Sequence, residues 1–198
     1  MWGAQIIAGI MILLICFAAM AKESENLQIG AVTYDGCGAA AGRVSLNSKQ
    51  DILSIFLNKN IVEAGRRINS RLESQTCNIK IPLQVAKGYS LSISDVSYQS
   101  EHHIPRGALS RISFEYALGA MKASKLYRIL AGPFYHGSSS EVASEDNRIG
   151  SICGGSVDLK VQVSTTVQAN DRADQITSSL GSAEYHLQLT HCEATASR

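Results

Sequence analysis

The stretch Cys77 to Tyr98, CNIKIPLQVAKGYSLSISDVSY, constrains this chain more than any other. Ile79, Ile81, Leu83 and Val85 alternate with Asn78, Lys80, Pro82 and Gln84. A period of two sends alternate side chains to opposite faces of a strand, so one face is apolar and the other wet. Ala86-Lys87-Gly88 interrupts the pattern with a turn whose glycine can take positive φ. Tyr89, Leu91 and Ile93 resume it opposite Ser90, Ser92 and Ser94. The segment reads as a β-hairpin with an apolar face that needs a cover. Two strands alone do not hold together in water, so more sheet must lie elsewhere in the chain. Pro82 has no N–H to give to a ladder, which predicts an edge strand or a bulge at that point.

The rest of the chain supplies that sheet. Leu27 to Tyr34 predicts a first strand, and Val44-Ser45-Leu46 with Ile52 to Leu57 a hairpin across Asn47-Ser48-Lys49-Gln50. Ile112, Phe114, Tyr116 and Leu118 alternate, as do Val157, Leu159, Val161, Val163 and Thr165. Leu126 to Ala131 and Tyr185 to Leu189 complete the set. Ile61 to Leu72 reads as loop with one helical turn, Gln99 to Arg106 as a polar loop, Gly132 to Asn147 as a long loop, and Ala169 to Leu180 as polar connection. Eight or nine strands, turns at short intervals and no long amphipathic helix define an all-β protein. The expected architecture is an antiparallel two-layer β-sandwich, jelly-roll-like in its connections.

The first 21 residues, MWGAQIIAGIMILLICFAAMA, carry no charged side chain. Their apolar run is short for a membrane span and ends in Ala19-Met20-Ala21, an A-x-A cleavage pattern. Residues 1–21 are therefore expected to be a secretory signal peptide, and residues 22–198 one domain large enough for a real core. The rival reading, an uncleaved N-terminal anchor, draws on the absence of Lys or Arg before the apolar run. The 18 basic and 17 acidic residues balance to a net charge of +1 with no block of one sign. That removes the electrostatic case for nucleic acid or an anionic membrane surface. The only tryptophan, Trp2, falls in the leader, so a tryptophan platform for sugars is excluded while tyrosines remain available.

Cys37, Cys77, Cys153 and Cys192 remain after cleavage. An even count in an exported chain predicts two disulfides, with three connectivities open, and no C-x-x-C spacing supports zinc. If the strand after Cys153 pairs antiparallel with the strand before Cys192, those two cysteines are neighbours. Cys37 and Cys77 are then left for each other.

Candidate site residues are few. Glu101, His102 and His103 stand together, but adjacent histidines on extended chain diverge and no third ligand follows, so no metal site is expected. Asp51 and Asp95 lie near strand ends and offer a carboxylate pair only if the fold brings them close. Ser138 to Ser140, beside His136, and Ser178-Ser179 sit in no nucleophile elbow. Glu141 to Asn147 and Asn170 to Asp174 hold oxygen ligands without an EF-hand pattern. No cofactor motif is present.

Several of these features occur together, in order. They are Gly36-Cys37, Asp51 with Ile55-Phe56, and Cys77 leading to Lys87-Gly88. Asp95, Tyr98 and Gly107 follow, then Ser151, Cys153 and Gly154, and at the end Tyr185, Leu187 and Cys192. In this order, from Gly30 to Cys192, the chain resembles the secreted bacterial and fungal proteins that carry the domain of unknown function 4360. The family usually has a tryptophan shortly before the last cysteine, where this chain has Leu189. The resemblance implies export and fold and brings no activity with it. The expected function is a non-enzymatic exported β-sandwich that binds an extracellular protein or a glycan. The alternative is a secreted hydrolase assembled from Asp51, Asp95, Glu101, His102 and His103. Mass spectrometry of the exported protein should find its N-terminus at Lys22; a chain retaining residues 1–21 in the membrane fraction would identify the anchor instead.

Overall fold

The computed structural model describes residues 26–37, 42–58, 61–121, 123–139, 149–150, 153–171, 173 and 175–192. The expected signal peptide and Glu141 to Asn147 lie outside these residues. The described chain forms thirteen strands and no helix.

One sheet runs β6 (Leu72–Val85), β12 (Gly155–Gln168), β8 (Leu109–Leu118) and β9 (Ser124–Ala131), with β1 (Leu27–Ile29) and β2 (Thr33–Asp35) both along the free side of β6. The other runs β10 (Phe134–Ser139), β7 (Tyr89–Ile104), β13 (Ile176–His191), β4 (Ile52–Phe56) and β3 (Arg43–Leu46). In it β5 (Ile61–Ala64) also pairs with β13, and β11 (Ile149–Gly150) with β7. Every pairing is antiparallel. The chain changes sheet between β2 and β3, β5 and β6, β6 and β7, β7 and β8, β9 and β10, β11 and β12, and β12 and β13. This is the jelly-roll habit of a two-layer sandwich.

Alternation fixes which residues face inward. Ile79, Ile81, Leu83, Leu91, Ile93, Phe114, Tyr116, Leu159 and Val161 all lie in the core, as their phase predicts. Tyr98 and Phe114 meet across it with ring centroids 4.6 Å apart, and Tyr116 stands edge-on to Tyr185 at 5.6 Å.

The structure corrects several readings of organisation: the expected loop Gly132 to Asn147 contains β10, β13 already begins at Ile176 within the expected connection Ala169 to Leu180, and four more follow. Cys77 to Tyr98 is no hairpin within one sheet: the turn at Ala86-Lys87-Gly88 hands the chain from β6 to β7 in the opposite sheet. Each apolar face thereby covers the other. Gly88 takes φ +88° in that turn, and Tyr89 N donates to Ala86 O at 3.2 Å. Pro82 is neither at an edge nor bulged. β6 is covered by β12 on one side and by the broken pair β1 and β2 on the other. Gly30 N donates to Pro82 O at 2.8 Å from the break between those two short strands. In an antiparallel ladder a residue's N and O point to the same neighbour, so the missing proline N–H falls at that break. Ile61 to Ala64 is strand, ended by a turn at Gly65. Gln99 to Ile104 is the last third of β7 rather than loop.

Both disulfides form as paired above, Cys37 with Cys77 and Cys153 with Cys192, at Cα separations of 4.3 and 5.9 Å. The reason differs for the second. β12 and β13 lie in opposite sheets, so Cys153–Cys192 ties one sheet to the other. Cys192 N donates to Gly88 O and Gly154 N to Tyr89 O, which places the bridge against the β6–β7 turn. Cys37 follows β2, whose Asp35 pairs with Asn78. Gly36, at φ +71°, lets the chain pass Thr76 O where a Cβ would collide.

Leu83→Ala, at a site with no exposure, should cost about 2 to 5 kcal/mol in urea unfolding. Gln84→Ala, one residue on and facing water, should cost under roughly 0.5 kcal/mol. Equal losses would refute the assigned phase.

Candidate functional site

The outer face of the six-stranded sheet is built from the wet phase of the same alternations. Register sets its side chains in rows across the strands. One row is Asp35, Asn78, Gln162, Glu115 and Lys125, each directly opposite the next. The adjacent row is Thr33, Lys80, Lys160 and Ala117. All of these except Lys125, with Ala123 from the β8–β9 connection, line a groove of about 420 Å³.

Polar groups in the groove are partly engaged with one another. Gln162 Nε2 donates to Asn78 Oδ1 at 2.9 Å. Lys80 Nζ lies 3.0 Å from Asp158, and Lys125 Nζ 3.8 Å from Glu115. The lining holds two lysines, Lys80 and Lys160, against two carboxylates, Asp35 and Glu115, so its formal charge is zero. The amides of Asn78 and Gln162 sit between them, each with donors and an acceptor.

The residues singled out from the sequence are placed elsewhere and not in one cleft. Asp51 closes the β3–β4 turn, where Asn47 Nδ2 donates to its Oδ1 at 2.5 Å and its own N–H donates back to Asn47 Oδ1 at 3.0 Å. Asp95 lies beside a register shift of β7 against β13, opposite His186. Glu101 is six residues further along the same strand, about 20 Å away, and points outward. His103 is on that outer face too, near the end of β7. His102 points the other way and is buried between the sheets. Among the described residues no three His, Cys, Asp or Glu side chains gather as a metal site.

His102 belongs to a buried polar belt instead. Its Nε2 lies 2.8 Å from Ser100 Oγ and its Nδ1 2.9 Å from Ser178 Oγ, while Ser110 Oγ donates to Ser178 Oγ at 2.9 Å. A serine hydroxyl can give or accept, so both ring nitrogens of the neutral imidazole are satisfied in either tautomer. Thr165 is buried too, on β12 opposite Ile112. Above the belt lies the main core; below it lies a second cluster of Val62, Ala64, Ile104, Ala108, Val167, Ala169, Ala173 and Ile176. Burial, then the charge of Arg128, lowers the His102 pKa to about 4.

The groove residues were visible in the sequence only as the wet phase of strands. Nothing in the chain says that Asn78, Gln162 and Glu115 lie side by side until β6, β12 and β8 are known to be neighbours.

These features define a disulfide-bonded, secreted β-sandwich. The family model of the domain of unknown function (DUF4360) matches residues 25–192, and the chain belongs to this family. It is 22% identical over 156 residues to a protein of Arthroderma benhamiae named "Uncharacterized secreted protein", covering 77% of this chain. The chain spans 64% of that relative's length. Two intact disulfides agree with an oxidising compartment outside the cytoplasm. Among solved structures, the module TmCBM61 in complex with beta-1,4-galactotriose overlaps 85% of this chain and 90% of its own, with a TM-score of 0.28 at 9% identity. A structure titled for CBM4 overlaps 81% and 86%, with a TM-score of 0.22 at 9% identity. At 9% identity neither likeness carries a site residue across.

Acid should weaken this fold through His102. The unfolded ring takes up a proton near its ordinary pKa of 6.5, whereas the folded ring resists until about 4. The unfolded chain thus binds more protons between these values, and stability is complete above pH 6.5 and falls as pH drops toward 4. Urea unfolding at a series of pH values measures this. His102→Gln should flatten the dependence over that window; an unchanged slope would exclude His102 as its source.

Proposed function

We propose that this protein is an exported binding module whose groove on the six-stranded sheet takes a neutral, hydroxyl-rich glycan. One observation carries the reading: the register row Asp35, Asn78, Gln162, Glu115, Lys125 sets carboxylates, amides and an ammonium group side by side across five strands. Sugar hydroxyls both give and accept hydrogen bonds, so a surface mixing amides, carboxylates and ammonium groups matches them along its whole width. The zero formal charge of the lining favours a neutral ligand over a polyanion. Rigid strands hold the row, which spares the cost of ordering loops on binding.

The same spacing argues for binding rather than cleavage. Asp35 and Glu115 stand three strands apart, about 14 Å. Glycoside hydrolysis by paired carboxylates uses roughly 5 to 10 Å. Asp51 lies in the β3–β4 turn, and Asp95 and Glu101 lie about 20 Å apart on β7 of the opposite sheet.

Affinity gel electrophoresis against soluble β-glucan, galactan, mannan and xylan, with polygalacturonate as the acidic comparison, tests the reading. Retardation by at least one neutral polymer, unchanged in high salt, is expected. Gln162→Ala, at an exposed position, should leave the fold intact and weaken binding about tenfold. Retardation by none of the polymers, or by polygalacturonate alone and lost in salt, would overturn it.

A further inference from the structure

On the same outer face, one row below the groove, Thr76, Ser164, Ser113 and Tyr127 stand directly opposite one another. The first three are short, and Thr76 and Ser164 bond each other at 2.9 Å. They make a low lane three strand spacings long, about 14 Å from β6 to β9. Tyr127 closes the lane at its β9 end. Its side chain is 62% exposed, the most exposed large hydrophobic among the described residues. The ring is held rather than loose: the Arg111 guanidinium lies over it, 5.8 Å from the centroid. Ile129, 57% exposed, lies two residues along β9 on the same side of the sheet.

The groove with its rows of polar side chains, an adjoining lane of hydroxyls and a terminal exposed ring are three parts of one surface. An extended sugar chain has the matching chemistry, with hydroxyl edges for the groove and lane and apolar C–H faces for the tyrosine. A small sugar would fill the groove alone and leave Tyr127 untouched. We infer that the ligand is an extended oligosaccharide laid across the strands, and that Tyr127 is the stacking platform that makes binding depend on chain length. This rests on the glycan reading of the groove. Arg111 is a positioning residue, which fixes the ring over the end of the lane.

The test uses the mature protein and a ladder of oligosaccharides of increasing length, cut from the neutral polymer that retards it, in isothermal titration. In the wild-type protein affinity should climb with length until the lane is spanned. Tyr127→Ala should leave affinity for the shortest members unchanged and weaken the longest about tenfold, while Tyr127→Phe, which keeps the ring, should match the wild type. If Tyr127→Ala equals the wild type at every length while Gln162→Ala still weakens binding, the platform is refuted and the groove stands. If the wild type binds no neutral polymer or oligosaccharide at all, both fail together.

Discussion

The structure depends on a single demand: four strands of 14 to 16 residues, β6, β7, β12 and β13, each carry one apolar face that must leave water. A tight hairpin between β6 and β7 would put both faces on the same side of one sheet, still uncovered. Passing the chain into the opposite sheet at Gly88 sets Ile79, Ile81 and Leu83 against a layer containing Leu91, Ile93 and Val96. Area removed from water is worth roughly 25 cal/mol per Å², so covering both faces at once outweighs the ladder bonds that a hairpin would make locally. Everything else is arranged around that exchange, including the short strands β1 and β2 along the free side of β6.

Alternation made the layers legible and left their order hidden. Phase along Ile79 to Leu83 or Leu159 to Val163 is a local property of the chain, and each of these residues is buried as read. Which strands share a sheet is decided by the whole core, and the local pattern is silent on it. For that reason β6–β7 resembled a hairpin and Cys153–Cys192 reached the right pairing through a ladder that does not exist. The end of β7 was hidden for a different reason. Glu101-His102-His103 is polar throughout, yet His102 occupies an inward position that an apolar residue usually fills. The Pro82 reading failed because a gap in the neighbouring strand removes the need for a donor, and a gap has no signature in β6 itself. The groove shares this limit: its rows exist only once the register of β2, β6, β12 and β8 is given.

The buried belt of Ser100, His102, Ser110 and Ser178 works by satisfaction. A lone buried imidazole is costly, but here each ring nitrogen has a hydroxyl partner within 2.9 Å. Both ring partners lie in the sheet of β7 and β13, and the Ser110–Ser178 bond carries the chain across to β8 in the other sheet. An apolar contact tolerates sliding, whereas a hydrogen-bonded chain across the sandwich holds in one alignment only. The belt thus pins the two layers in register.

The belt also divides the interior unequally. Both disulfides of the described residues fasten the larger portion, since Cys37 and Cys77 belong to its core and Cys153–Cys192 abuts the β6–β7 turn. The smaller portion has no covalent closure among its members, and four of its eight buried residues are alanines. Less apolar area and no cross-link make it the weaker unit. Amide exchange should therefore be graded along the sandwich. Protons near Ile104 and Ile176 leave first, by an opening that stops at the belt. Those around Ile81 and Leu187 await global unfolding. The protein is a single sandwich by its strands and two foldons by its core.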